Sequence, residues 1–208
     1  MKLETIFQSV LEGKIADVEE GVKAALDSGV PPEEILNNAL IGAMDDVGQR
    51  FEDGDLFVPE MLVSARAMQA GLNILKPHLA DTGIQSSGTV AIGTVKGDLH
   101  DIGKNLVAMM LEGAGFEFMD LGTDVDPAKF AEAVRNGANV VGMSALLTTT
   151  MGSMADVIEA VEDINMRDKV KVIIGGAPVT PEYAEQIGAD GFAADASSAV
   201  KKVRELLA

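Results

Sequence analysis

One stretch of this sequence has the residue types and spacing of a metal ligand with its support attached. Lys96-Gly97-Asp98-Leu99-His100-Asp101-Ile102-Gly103 puts His100 between glycines, free of helix geometry, with a carboxylate two residues before it. An imidazole so placed presents one ring nitrogen outward while the carboxylate accepts the proton on the other. The same residues also read as a surface-loop histidine beside acidic neighbours. With two histidines and no cysteine in 208 residues, any metal must be held by imidazole, carboxylate or a prosthetic group. Two other segments carry candidate chemistry. Ser144-Ala145-Leu146-Leu147-Thr148-Thr149-Thr150-Met151 clusters hydroxyls, which either line a crevice or cap a helix. Gly175-Gly176-Ala177-Pro178 has two residues without side chains, which suits either a bulky group close to the backbone or a tight turn.

The elements that must position these segments follow from the apolar pattern. Runs at Val90–Val95, Phe116–Leu121, Val140–Met143 and Val172–Ile174, with a weaker one at Gly191–Ala194, alternate with helical stretches such as Lys104–Glu112. Near-continuous apolar strands between helices indicate a parallel sheet covered on both faces. Five such units predict a flavodoxin-like, doubly wound α/β domain with a five-stranded parallel sheet, whose ligand crevice lies at the carboxyl ends of strands 1 and 3. The His100 segment follows strand 1, the Ser144 segment strand 3, and Gly175-Gly176 ends strand 4.

Residues 1–80 carry helical periodicity instead, and predict an all-α four-helix bundle. In its third helix Leu36, Leu40, Ala43, Val47 and Phe51 recur at three- and four-residue steps after Pro31-Pro32. In its fourth, Met61, Ala65, Met68, Leu72 and Leu75 do the same, between Pro59 and Pro77. The small, polar segment 81–88, DTGIQSSG, has linker composition, which sets the second domain at 89–208.

A formal charge of −17 repels phosphate backbones and anionic membranes, so neither nucleic acid nor a membrane is an expected partner. The acidic amphipathic start MKLETIFQSVLEGK is unlike a signal peptide, and the protein is expected to be soluble and cytoplasmic.

Taken in order, Asp98-x-His100-x-x-Gly103, Ser144-x-Leu146 and Gly175-Gly176 resemble the cobalamin-binding domain shared by methionine synthase, some B12-dependent mutases and methyltransferase corrinoid proteins. Upstream, Val47-Gly48-Gln49-Arg50-Phe51-Glu52-Asp53-Gly54-Asp55-Leu56-Phe57-Val58-Pro59-Glu60-Met61 resembles the helical cap that precedes it. The resemblance implies His100 as lower axial ligand of the cobalt of cobalamin or methylcobalamin. It implies Asp98 bonded to the other nitrogen of His100, and Thr150, in place of serine in methionine synthase, as the hydroxyl partner of Asp98. Ser144 and Leu146 would line the slot for the displaced nucleotide tail, with Gly103, Gly175 and Gly176 leaving room. Phe51, Val58 and Met61 would cover the methyl-bearing face, a role that bundle core also explains.

The function so implied is methyl carriage, with no catalysis by the chain alone. A substrate:corrinoid methyltransferase delivers a methyl group to cobalt, and a second methyltransferase passes it to tetrahydrofolate or a thiol. A reductive activation protein is a further expected partner. A corrinoid-dependent sensor or regulator would normally add a basic DNA-binding domain, which the sequence does not offer, and a mutase subunit would not need the cap trio. A flavodoxin-like domain for another small ligand is the remaining alternative.

Overall fold

The protein, seen in a computed structural model, is described over residues 3–82 and 87–208. These divide into two compact units, one N-terminal that also takes in Glu112–Gly115, the other made of the rest.

In the first unit four helical rods follow one another: α1 (Leu3–Leu11), α2 (Ile15–Asp27), a third rod and α5 (Val58–Thr82). The third rod begins with α3 (Pro32–Ile35), passes through a π-helical stretch (Leu36–Ile41) and ends as α4 (Gly42–Glu52). Pro32 starts it because a first-turn proline has no amide bond to lose. The expected stripes are its inner face: Leu40, Ala43, Val47, Met61, Met68 and Leu75 are fully buried. Gly71 lets α5 cross closely, since a Cβ there would lie 2.9 Å from Val18 and 3.0 Å from Leu40. The Ser64 hydroxyl donates to the Leu11 carbonyl at 3.0 Å and ties α5 to the end of α1.

One local expectation differs from what is found. The fourth helix does not stop before Pro77 but continues through it to Thr82. A proline inside a helix costs about 3 kcal/mol; here Leu72 and Leu75 are buried on the preceding turns, and that packing offsets the cost. The helix thus reaches two residues into the expected linker, of which 83–86 lie outside the described residues. The three- and four-residue steps of the third helix give no sign of its π turn, in which the Gly42 amide bonds back five residues to Asn37.

In the second unit, strands and helices alternate: β1 (Thr89–Val95), α6 (Ile102–Gly113), β2 (Glu117–Val125), α7 (Pro127–Arg135), β3 (Val140–Ser144) and α8 (Gly152–Asp163). β4 (Lys171–Gly175), α9 (Pro181–Ile187), β5 (Gly191–Ala193) and α10 (Ala196–Leu207) complete it. All neighbouring strands pair in parallel, in the order β2-β1-β3-β4-β5, which is the flavodoxin-like order expected. The core lies on both faces: Val95, Val141, Val172, Ile174 and Phe130 are buried on one, and Val90, Ile92, Val140 and Ile173 on the other. β2 runs four residues beyond the expected Leu121. It is an edge strand with polar Asp120, Thr123 and Asp124, and its register against β1 slips on either side of Gly93, so its apolar run understates its length.

Candidate functional site

β1 and β3 are adjacent, with Thr94 paired to Ser144, so the loops after them meet at one rim of the sheet. Asp98 is fully buried there. Its Oδ1 accepts the His100 amide at 3.1 Å and lies 2.7 Å from the imidazole Nδ1. Its Oδ2 accepts the amides of Leu146 at 2.8 Å and Leu147 at 3.2 Å, and the Thr150 hydroxyl at 2.8 Å. Burial by itself would raise the pKa of this carboxyl. The donations from the Leu146 amide, His100 and Thr150 outweigh it and hold the group well below the usual carboxylate range.

An ionised Asp98 accepts, so Nδ1 carries the imidazole proton and Nε2 keeps its lone pair, turned away from the carboxylate. The His100 side chain is 52% exposed although its partner is buried. Two further hydrogen bonds hold the main chain of the loop. The Thr94 hydroxyl, itself buried, donates to the His100 carbonyl at 2.7 Å, and the Ser153 hydroxyl donates to the Lys96 carbonyl at 3.3 Å.

Sequence reasoning passed over the surroundings of the histidine. Leu99 and Ile102 are 74% and 84% exposed on either side of it, and Leu147 is 43% exposed beside the expected Leu146 at 44%. Exposed apolar side chains around one outward nitrogen donor suit a flat apolar ligand better than a hydrated ion. The available signal was the apolar residue on either side of His100 in a loop that otherwise reads polar. Thr94 gave no signal, because in sequence it is one more strand residue.

The glycines separate into two kinds. At Gly103 an added Cβ would meet nothing within 4 Å, so the fold itself does not require glycine. At Gly175 a Cβ would lie 2.7 Å from the Ala193 carbonyl oxygen, and at Gly176, with φ +125°, a Cβ would overlap the Ala145 carbonyl oxygen. These two let the ends of β4, β5 and the loop after β3 approach one another, and the Ala145 amide donates to the Gly175 carbonyl at 3.2 Å. Ser144 is half-buried at the end of β3. In the first unit, Phe51 is half-buried, Val58 is 39% exposed and Met61 is fully buried, while Phe57 is the most exposed apolar side chain of that segment at 67%.

Among the described residues no group of three histidine or acidic side chains could hold a metal ion. A single outward imidazole instead fits a metal that arrives with its other ligands in place, as in a macrocycle. Among the same residues no helix is long and apolar enough to cross a membrane.

Comparison with known proteins gives the class of cofactor. Residues 88–204 match a family described as B12 binding domain, and residues 2–76 match a second family of the same description. Dimethylamine corrinoid protein 1 of Methanosarcina mazei is 43% identical over 209 residues, covering 98% of this chain and 97% of that protein. The methanol:cobalamin methyltransferase complex MtaBC of Methanosarcina barkeri contains a chain that superposes with a TM-score of 0.85 at 30% identity, covering 99% of this chain and 79% of that one. A cobalamin-binding protein of Desulfitobacterium hafniense gives 0.81 at 31% identity, with 99% and 98% covered. Both halves of the sequence thus match, and the chain belongs to the B12-binding family, as a corrinoid protein with a cofactor of the cobalamin type.

Proposed function

We propose that this chain is the methyl-carrier subunit of a cytoplasmic methyltransferase system, with His100 as the lower axial ligand of its cobalt. The observation that carries the reading is the Asp98–His100 pair, in which a buried, ionised carboxylate holds Nδ1 and leaves Nε2 to face outward. The bound corrinoid supplies a cobalt that takes up and releases a methyl group. Asp98 sets the tautomer and orientation of His100, and Thr150 with the Leu146 and Leu147 amides keeps Asp98 ionised. Leu99 and Ile102 form an apolar seat around the ligand, and Gly103 leaves room beside it. Ser144 and Leu146 would line the slot for the cofactor's nucleotide tail, beside the strand ends that Gly175 and Gly176 allow to approach one another. Residues 1–80 act as a cap, 81–88 as its linker and 89–208 as the corrinoid domain, with Phe51, Val58 and Met61 as the cap's apolar cover.

The carrier works between a methyl-donor methyltransferase and a second enzyme that moves the methyl group to a tetrahydrofolate or thiol acceptor, and a reductive activation protein restores the cofactor. The 43% identity to a dimethylamine corrinoid protein supports a methylated amine as the donor. Refolding the wild type and His100→Ala with hydroxocobalamin tests the core of this reading. Wild type should retain one corrinoid after desalting with the absorbance of imidazole-ligated cobalt, and the variant should lose that signature. Unchanged spectra would overturn it.

A further inference from the structure

We propose that Asp124, on β2, is a positioning residue for the His100 loop and acts through its carboxylate on the Gly97–Asp98 segment. The inference rests on the reading of His100 as the cobalt ligand. Asp124 and Asn165 are the non-glycine residues with positive φ among those described, at 52° and 55°. Asn165 follows the end of α8, where left-handed residues are common. Asp124 stands inside a strand, where no helix end explains it. A non-glycine residue held in this region costs about 1–3 kcal/mol and persists only when its surroundings impose it.

The surroundings are the ligand loop. Asp124 Oδ1 accepts the Gly97 amide at 2.7 Å, and the Asp124 amide donates to the Asp98 carbonyl at 2.9 Å. One residue therefore grips the two-residue segment at both ends. The segment needs a grip, because Gly97 has φ +83° and the torsional softness of glycine directly before Asp98. The neighbouring Lys96–Asp126 ion pair at 2.8 Å spans the same two loops but is solvent-exposed on both sides and adds little. The other supports of the loop act elsewhere: Thr94 holds the His100 carbonyl, and the loop after β3 holds Oδ2 of Asp98. Asp124 alone among these fixes the main chain of Asp98 from the β2 side. A ligand constellation tolerates displacements of only about 0.5 Å, so a loosened main chain at Asp98 would be felt at the 2.7 Å contact with Nδ1. The hydrogen bonds of Asp124 go to Gly97 and to the Asp98 carbonyl and not to the imidazole, which makes it a positioning group.

Three substitutions separate the carboxylate from the backbone conformation. Asp124→Asn keeps both an acceptor and tolerance of positive φ; Asp124→Gly frees the backbone but removes the acceptor; Asp124→Ala removes the acceptor and strains the backbone. Two readouts apply to the full chain: hydrogen exchange of the His100 Nδ1–H by NMR of 15N-histidine-labelled apo protein, and the ratio of imidazole-ligated to unligated cobalt after refolding with hydroxocobalamin, followed against pH. With two histidines in the chain, His100→Ala assigns the signal. Asp124→Asn should match wild type. Asp124→Gly should exchange faster and lower the ligated ratio about 3–10-fold, at or below the low end of the roughly 10–100-fold seen when a direct partner of a metal ligand is lost. Asp124→Ala should do the same, and if it fails to fold the glycine variant carries the test, since glycine takes this backbone without strain. Wild-type behaviour of Asp124→Gly in both readouts would overturn the proposal and leave Asp124 a backbone residue only. A ligated spectrum in wild type that persists in His100→Ala would instead overturn the ligand reading itself, and the proposal with it.

Discussion

Replacing Asp98 by asparagine changes one atom of the site and should shift ligation away from His100. The carboxylate accepts five donors, two on Oδ1 and three on Oδ2. An asparagine keeps one acceptor oxygen, and the orientation that wastes least points it at Leu146, Leu147 and Thr150, because the two backbone amides there cannot turn round. Its NH2 group then faces the His100 amide and Nδ1, where two donors already point. The stranded amide costs about 1–3 kcal/mol, and the three remaining bonds each weaken by about 1 kcal/mol as the acceptor loses its charge, so the apo protein should lose roughly 4–6 kcal/mol. The imidazole relieves its own conflict by moving the proton to Nε2, which removes the lone pair that cobalt needs. Corrinoid affinity or the imidazole-ligated fraction should fall by at least about 10–100-fold. The acid limb gives a second check. Asp98 is held ionised below the usual range, so its stabilisation is whole above the ordinary aspartate value near pH 4 and is lost as the pH falls from there toward the depressed folded value. Urea unfolding of the two apo proteins should therefore show their gap narrowing as the pH is lowered below about 4. Wild-type visible spectra of loaded Asp98→Asn, with a stability gap independent of pH, would refute the assignment.

The other predictions concern neighbouring residues. Thr150→Val removes one of three donors to Oδ2 and should cost about 1 kcal/mol in urea unfolding, with a smaller spectral shift in the same direction as Asp98→Asn. Gly103→Ala should stabilise the apo protein by about 0.5–1 kcal/mol, since the site is open and lies in the first turn of α6, while weakening hydroxocobalamin retention; unchanged retention would show that no ligand approaches there. Gly176→Ala should destabilise the apo protein by about 3 kcal/mol or more, because its Cβ would overlap the Ala145 carbonyl at a φ that alanine resists. Asp120→Ala should cost about 1–3 kcal/mol in thermal or urea unfolding by leaving the buried Lys104 ammonium, now 2.7 Å from both Asp120 and Asn105, without its counter-charge. Lys104→Met should cost less, since the half-exposed Asp120 can hydrate.

The order of strands and the rim that carries the site were legible because near-continuous apolar runs between helices permit few topologies, and the flavodoxin-like one puts the loops after Val95 and Ser144 side by side. Asp98 and His100 were legible because they are local: two residues apart between glycines, they are candidates for contact on spacing alone. Thr150 came from resemblance, and it took the β1–β3 pairing to carry its hydroxyl across 52 residues to the Asp98 carboxylate. The sequence predicts a fourth helix that ends before Pro77 because the local cost of proline is visible in it, while the burial of Leu72 and Leu75 that offsets that cost is not. Gly175 and Gly176 look alike on paper as room for a ligand, yet only the folded chain shows β5 and the loop after β3 pressed against them. Exposure was the least legible property: that Leu99 and Ile102 stand out in solvent while Asp98 between them and the sheet is sealed depends on which way a short loop turns. That turn is decided by long-range partners, Thr94 on β1 and Asp124 on β2, whose side chains could have pointed elsewhere until the strands were paired.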